Sequence, residues 1–271
     1  MRNVLVHADD STSMSVRMES ALAIGRRHRS HLRFVISSPF QQFVTVDPFG
    51  GMYLSSEQLA KAQLADQKLE QRLSAELARE DVPWDVVISD GDALSALSLA
   101  ATLTDLVIVS LGTVDGPRNL TPPMMAGDLA MTVPVPVLAI PVHNGPIDLD
   151  SPVIIAWNGS PQAAHALRAA VPLIRDAQSI VMVAIGPDEG PIAAENALIY
   201  LSRHGLHAEL LHEERGTTDS VEETLERVAK SIEPGLIVMG AFGRPRLRET
   251  LFGGVTRYLL EAAPAPLLLA H

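Results

Sequence analysis

The stretch Leu236-Ile237-Val238-Met239-Gly240-Ala241-Phe242-Gly243, separated by nine residues from Gly253-Gly254, is the most informative part of the chain. Its first four residues are an apolar run that predicts a buried strand. Residues 255–261 predict a helix. A glycine-bearing loop between a strand and a helix can turn backbone N–H groups toward an anion. Glycine also allows a ligand to approach the backbone closely, because it carries no Cβ.

The composition argues against several classes of function. The 271 residues carry a net charge of −11, and binding to nucleic acid or to an anionic membrane needs a basic face instead. We therefore expect neither partner. The chain has no cysteine, which excludes disulfides and thiolate chemistry and fits a reducing compartment. The first ten residues lack the apolar length of a signal peptide, and no run is long enough to span a membrane. We expect a cytoplasmic protein.

The chain contains an internal repeat. Residues 105–141 align without a gap on residues 235–271, at an offset of 130. The opening strands, Val4–Ser11 and Val153–Ser160, align at an offset of 149. The difference of 149 − 130 = 19 residues predicts extra chain in the first half, and Ser37–Ser55 is the candidate. A repeat of this length indicates two domains rather than a solenoid.

Each half alternates strands with helices, which predicts an α/β fold with a mainly parallel sheet covered on both faces. We expect two tandem domains of five strands each, at residues 1–145 and 152–271, with a linker at Pro146–Pro152. The proline-bounded terminal strands, Val135–Ile140 and Pro266–Ala270, are expected to pair. Such pairing removes two free sheet edges and makes the chain an internal pseudo-dimer.

A parallel sheet binds ligands beyond the carboxyl ends of its strands, where the strand order reverses. The loops after the first and fourth strands of a half should share that edge. In the second half these are the loop at Asn158 and the glycine loop.

The combined pattern resembles the universal stress protein family in its tandem form. The resemblance rests on a first strand that ends in an acidic or amide residue before Ser, and on the Gly-x2-Gly-x9-Gly spacing between a strand and a helix. It implies a sandwich like that of the adenine nucleotide alpha hydrolases. Some members of the family bind ATP and others do not, and domains pair through their last strands. Most members are stress-response factors without settled enzymatic chemistry.

The resemblance places a nucleotide site in the second half. Gly240, Gly243 and Gly253 match the three loop glycines of the family. Gly254 stands where the family usually has Ser or Thr, so one phosphate contact is lost, and Thr256 is the nearest hydroxyl to replace it. The residues expected to contact ATP or a related adenine nucleotide with Mg are Asn158, Gly240, Gly243, Arg244, Gly253, Gly254, Val255 and Thr256.

The first half departs from that pattern. Asp9 keeps the acidic position, but Ser110, Thr113 and Pro123 stand at the places of the three glycines. Proline has no N–H to donate. We therefore expect a degenerate site in the first half, which serves as a structural partner of the second.

Other residue groups leave alternatives open. The loop glycines can contact a nucleotide or only shape the turn, and Arg244, Arg246 and Arg248 can clamp a triphosphate or simply face solvent. His204, His207 and His212 do not converge, so we expect no metal site. His7, near Asp9, is expected to be a hydrogen-bonded histidine at the sheet edge. The apolar insertion at residues 38–55 either packs on the first domain or forms a lid or a partner surface.

Three functional hypotheses follow. The first is a stress-response factor that binds an adenine nucleotide through its second domain and hydrolyses it slowly at most. The second is a scaffold of the same family that binds no nucleotide. The third is an enzyme of unknown chemistry, although no nucleophile or acid–base constellation marks catalytic residues. A homodimer of such chains is a further expectation.

Overall fold

A computed structural model describes residues 1–38, 44–46, 52–54, 56–111, 125–186, 190–214, 220–241 and 254–271. Predicted site residues Gly243, Arg244 and Gly253 lie outside these ranges, as do Arg246, Arg248, Thr113 and Pro123. In the described part of the chain, no helix is long and apolar enough to cross a membrane.

Strands and helices alternate in both halves. The strands of the first half are β1 (Asn3–Ala8), β2 (His31–Ser38), β3 (Val44–Val46), β4 (Met52–Leu54), β5 (Trp84–Asp90), β6 (Leu106–Leu111) and β7 (Val137–Pro141). Its helices are α1 (Met14–His28), α2 (Ser56–Leu77), α3 (Ala93–Ala100) and α4 (Met125–Thr132). The strands of the second half are β8 (Val153–Trp157), β9 (Ile180–Ile185), β10 (Glu209–Glu213), β11 (Leu236–Gly240) and β12 (Leu267–Ala270). Its helices are α5 (Pro161–Ala170), α6 (Ala194–Arg203), α7 (Val221–Ile232) and α8 (Gly254–Ala262).

Ten of these strands form one sheet in the order β10-β9-β8-β11-β12-β7-β6-β1-β2-β5. Within each half the five strands are parallel and follow the same order. The predicted α/β class and the two five-stranded halves are therefore confirmed. The domain limits at 145 and 152 stay a prediction, since the sheet runs through both halves.

The two halves join through their last strands, as the sequence predicts. Strand β7 pairs antiparallel with β12, with Leu138 opposite Leu268. Both leucines are fully buried. Because this seam lies in the middle of the sheet, the two halves share one hydrophobic core on each side of it.

Helices cover both faces of the sheet. Side chains alternate along a strand, so Val4 and Val6 of β1 belong to one hydrophobic cluster and Leu5 belongs to the other. Helices α1, α2, α5 and α6 pack in the first cluster, and α3, α4, α7 and α8 pack in the second. Strand β6 is buried at every residue, which explains why five of its six residues are apolar.

Local sequence signals set the helix starts. Ser160 caps α5 by accepting a hydrogen bond from Ala163 N, and Pro161 follows at the first helical position. Ser220 and Glu223 form a reciprocal capping box at the start of α7. Gly205, with φ of +75°, follows α6.

The extra chain of the first half lies partly in the predicted stretch and partly in α2, which has 22 residues against 10 in α6. It includes β3 and β4, which pair antiparallel in a separate two-stranded sheet between β2 and α2. The choice between packing and a partner surface for this insertion stays open. The linker, by contrast, is packed, because Ile147 and Leu149 are buried.

Candidate functional site

The strand order reverses between β8 and β11 in the second half and between β1 and β6 in the first. At each reversal the two strands are neighbours whose following loops meet at the carboxyl edge of the sheet. We call these places the second and the first switch point. Each is where a parallel sheet can hold a ligand.

Asn158 is the first residue of the loop that enters the second switch point. It follows Trp157 at the end of β8, and its side chain is exposed. Its Oδ1 accepts a hydrogen bond from Ser160 N at 3.1 Å. The amide therefore stands in solvent directly before α5, where its NH2 group can donate to a ligand.

Gly240 allows α5 to pack closely against β11. A Cβ at this position would lie 2.5 Å from Ala163 N and 2.6 Å from the carbonyl carbon of Gln162. Only glycine allows the start of α5 to approach β11 this closely. Packing alone therefore explains this glycine, while a nucleotide contact at Gly240 stays a prediction.

Gly254 begins α8, and Thr256 lies in its first turn. Thr256 is only 4% exposed, so its hydroxyl does not stand free in solvent to replace the missing phosphate contact. Glu222, near the start of α7, places Oε1 2.5 Å from where a Cβ of residue 254 would lie. A carboxylate is favourable beside a helix N-terminus, because the helix dipole is positive there.

A close backbone contact borders Asn158 on its other side. A Cβ on Gly159 would lie 2.7 Å from the Cα of Gly190, and Ile192 N donates to the carbonyl of Gly159 at 3.1 Å. Gly159 has φ of +68°. The chain after β9 is thus held against the loop after β8, and both glycines are needed there.

The first switch point is filled by a buried polar cluster. Arg17 of α1 is fully buried and donates from Nη2 to Asp9 Oδ1 at 2.7 Å and from Nη1 to Ser110 Oγ at 2.8 Å. Ser11 Oγ also donates to Asp9 Oδ1, at 2.5 Å. The acidic position predicted to remain in this half is therefore occupied by an internal ion pair.

The cluster shifts two pKa values. Burial by itself would raise the pKa of Asp9, but the charges of Arg17 and His7 and the hydrogen bonds from Ser11 and Arg17 outweigh it and hold this pKa well below its usual range. Burial, reinforced by the Arg17 charge, lowers the pKa of His7 from 6.5 to about 4, against the opposing effect of Asp9. At neutral pH the cluster therefore contains a carboxylate, a guanidinium and an uncharged imidazole.

The second half keeps Ser11 of this cluster as Ser160 and replaces the other four members with small or uncharged residues. At the offset of 149, His7, Asp9 and Arg17 correspond to Ala156, Asn158 and Ala166. At the offset of 130, Ser110 corresponds to Gly240. The changes fit together, because removing the arginine and the serine side chain leaves room for α5 to approach β11.

Sequence reasoning missed Arg17. Its signal was present, since Arg17 shares the buried face of α1 with Met14, Ala21 and Ile24. The prediction for His7 also differs from the structure. Its Nδ1 lies 3.6 Å from Asp9 Oδ2, and neither ring nitrogen has a hydrogen-bond partner within the described residues. The expectation of a hydrogen-bonded histidine is thus wrong there.

The acidic residues of the second half have specific positions. Glu222 lies at the start of α8, and Glu223, which is exposed, takes part in the capping box at the start of α7. Glu213 pairs with Arg227 at 2.9 Å. Sequence patterns give charge and position, but which helix end a carboxylate reaches depends on how α7 packs against α8.

The histidines do not form a metal site within the described ranges, where no group of three or more His, Asp or Glu side chains could hold an ion. His204 follows the last residue of α6, and His207 precedes β10.

The fold has solved counterparts. A universal stress protein from Archaeoglobus fulgidus superposes with a TM-score of 0.75 and 12% identity, covering 99% of this chain and 95% of that chain. A functionally unknown protein from Pseudomonas aeruginosa PAO1 superposes with a TM-score of 0.62 and 17% identity, covering 100% of this chain and 92% of that chain. At these identities the likeness concerns the fold. No curated protein matches the chain significantly.

A family model matches the second half directly. Residues 151–271 match the universal stress protein family. The first half repeats the same strand order and joins the second through equivalent strands. Residues 151–271 therefore form a domain that matches the universal stress protein family, and the first half of the chain repeats the fold of that domain in tandem.

Proposed function

We propose that this protein is a stress-response factor whose second half binds ATP or a related adenine nucleotide with Mg at the second switch point. The observation that carries the proposal is the contrast between the two switch points. Arg17 fills the first switch point. In the second, Ala166 stands at the equivalent place, so no arginine of α5 takes the place of Arg17 beside the exposed amide of Asn158.

The chain's own groups suit such a ligand in part. Asn158 can exchange hydrogen bonds with a base or a ribose, and the N-terminus of α8 suits phosphate through its N–H groups and its dipole. Arg244 is proposed to add a cation. The absence of cysteine fits the reducing cytoplasm in which we place the protein. The proposed role is binding, with hydrolysis slow at most.

Glu222 opposes the same ligand. Its Oε1 lies against Gly254 at the start of α8, where a phosphate would carry charge of the same sign. We infer that nucleotide binding displaces this carboxylate. Glu222 is partly exposed, so its side chain can turn into solvent at little cost.

Thermal melting with Mg and ATP tests the proposal. A ligand that binds only the native state raises the melting temperature, and we expect such a rise with millimolar ATP. Glu222→Gln should enlarge the rise, because it removes the opposing charge. Glu195→Gln makes the same change at an exposed residue of α6 and should leave the rise unchanged.

The opposite result would favour the second candidate, a scaffold of the same family that binds no nucleotide. One observation supports it, because Gly240 is fully explained by its contact with Ala163. If no adenine nucleotide raises the melting temperature of the protein or of Glu222→Gln, the scaffold is the better description.

A further inference from the structure

The two ends of the ten-stranded sheet are built differently. Strand β10 at one end has five residues and carries a glutamate at each terminus, Glu209 and Glu213. Charges of this kind protect a sheet edge from pairing. Strand β5 at the other end has seven residues, and Val86-Val87-Ile88-Ser89 in its middle carry no charge.

The backbone of β5 leaves one row of groups unpaired in the sheet. Leu32 N of β2 donates to the carbonyl of Pro83, at 2.9 Å, immediately before β5. Because successive residues of a strand turn their N–H and C=O groups to opposite sides, Asp85 and Val87 also face β2. Val86 and Ile88 therefore turn theirs outward, where no strand of the described chain pairs with them.

One carboxylate of this edge has a cationic neighbour. The side chain of Asp85 lies 2.7 Å from His31 Nε2 and 2.9 Å from Arg33 Nε, and the charge of Arg33 offsets that of Asp85. Residues 93–103, which include α3, contain no charged residue. On β5 itself Val87 is 38% exposed, whereas the exposed Leu99 and Leu103 lie on or directly after α3, which packs against β2 and β1.

We propose that β5 pairs antiparallel with β5 of a second copy of this chain, so that the sheet continues from one molecule into the next. A second copy fits because the two charged residues of β5, Asp85 and Asp90, can each lie opposite an uncharged residue when the strand pairs with itself. Pairing of a strand with itself is self-complementary under a two-fold axis.

Antiparallel pairing of equivalent strands already occurs once in the molecule. Equivalent strands of its two halves, β7 and β12, pair antiparallel at the internal seam. A dimer through β5 would repeat this type of joint at the free end of the same sheet.

The register of the β5 pair follows from which N–H and C=O groups of the strand point outward. Centring the pair on Val87 sets Val86 of each copy against Ile88 of the other, so that the outward N–H and C=O groups exchange hydrogen bonds. The same register sets Asp85 opposite Ser89 and Trp84 opposite Asp90. No two carboxylates then lie directly opposite each other.

Sedimentation of the full chain tests the interface. We expect a concentration-dependent dimer of twice the 29.1 kDa chain. Val87→Lys sets two lysines opposite each other at the axis and should weaken dimerisation at least roughly tenfold. Ile199→Lys is the matched control, because Ile199 on α6 is 49% exposed, and this variant should dimerise like the parent protein. A monomer at every concentration, or a dimer that Val87→Lys leaves intact, would overturn the proposal.

Hydrogen exchange gives a second measurement on the unaltered protein, and it decides the matter if Val87→Lys fails to fold. The amides of Val86 and Ile88 face the new partner strand, so their exchange should slow as the protein concentration rises through the dimerisation range. Exchange at both amides that is independent of concentration would contradict the pairing.

Discussion

Arg17 Nη2 lies 2.7 Å from Asp9 Oδ1, and both side chains are buried, the arginine completely. The pair occupies the first switch point, where a parallel sheet otherwise offers a ligand site. A buried charge pair need not add stability, but breaking it leaves a charge without compensation.

Arg17→Met tests this relationship. The variant leaves Asp9 buried without its guanidinium, and we expect the free energy of unfolding to fall by about 3–5 kcal/mol, measured by urea denaturation. Adding Asp9→Asn should recover part of the loss. Arg26→Met breaks an exposed pair with Asp81 and should cost at most about 1 kcal/mol. Equal losses in the two single variants would contradict the buried-pair account.

His7 should make the protein sensitive to mild acid. Its pKa is about 4 in the folded protein, against an ordinary value of 6.5 that the unfolded chain keeps. Between these values the unfolded chain binds the proton and the folded chain does not. Stability therefore falls as the pH drops from 6.5 toward 4, by an amount on the order of 3 kcal/mol.

The matched variant for this pH effect is His7→Gln, which removes the titrating group and keeps a side chain that can form hydrogen bonds. Its unfolding free energy should vary less between pH 6.5 and 4 than that of the parent protein. Asp9 affects stability only at lower pH. Its pKa is lowered in the folded protein, so the stability that it contributes is lost only as the pH falls below 3.8. An unchanged slope in His7→Gln would assign the acid sensitivity to other groups.

The shared core at the seam should make the two halves unfold together. The chain has two tryptophans, Trp84 on β5 of the first half and Trp157 on β8 of the second. Trp84→Phe and Trp157→Phe each leave one fluorescent reporter, and the two urea transitions should coincide.

Leu138 and Leu268 face each other across that seam. Each change to Ala should cost about 2–5 kcal/mol, and the double variant should not show a simple sum, because the side chains are neighbours. Two separated transitions, one per tryptophan, would show that the halves are energetically independent.

Gly240→Ala should destabilise the protein by about 3 kcal/mol, because its Cβ would meet backbone atoms of Ala163 that cannot move without shifting α5. Gly25→Ala is the informative comparison. Its Cβ would meet the side chain of Val82 at 2.8 Å, which can turn aside, and alanine favours the helix. Thermal melting should therefore show a much smaller loss for Gly25→Ala, and equal losses would argue against a special role for Gly240.

Gly254→Ser restores a hydroxyl at the position where the family usually has one. Its Cβ would meet only Glu222 Oε1, which can move. We expect an unchanged fold and a tighter interaction with ATP and Mg, measured by calorimetry. An ATP affinity equal to that of the parent protein would argue against a phosphate site at the start of α8.

Local patterns predicted most of the fold. The apolar run at β11 and the repeat offsets depend on neighbouring residues, so a single sequence carries them. The offset difference predicted that the first half has extra chain, but not that part of it lies in the longer helix α2. The residues of the proposed nucleotide site could be named from spacing, but their contacts with a ligand stay a prediction.

Periodicity, proline position and composition are properties of the chain, and they were enough to predict a duplicated α/β protein with paired terminal strands, a net acidic charge and no cysteine. Three relationships became visible only in the folded molecule: Arg17 neutralises Asp9, Gly240 admits Ala163, and Glu222 reaches α8. Each of them depends on how separate helices and strands are placed against one another. Their energies depend on burial and on distances of a few ångströms, which exist only once the helices have packed on the sheet.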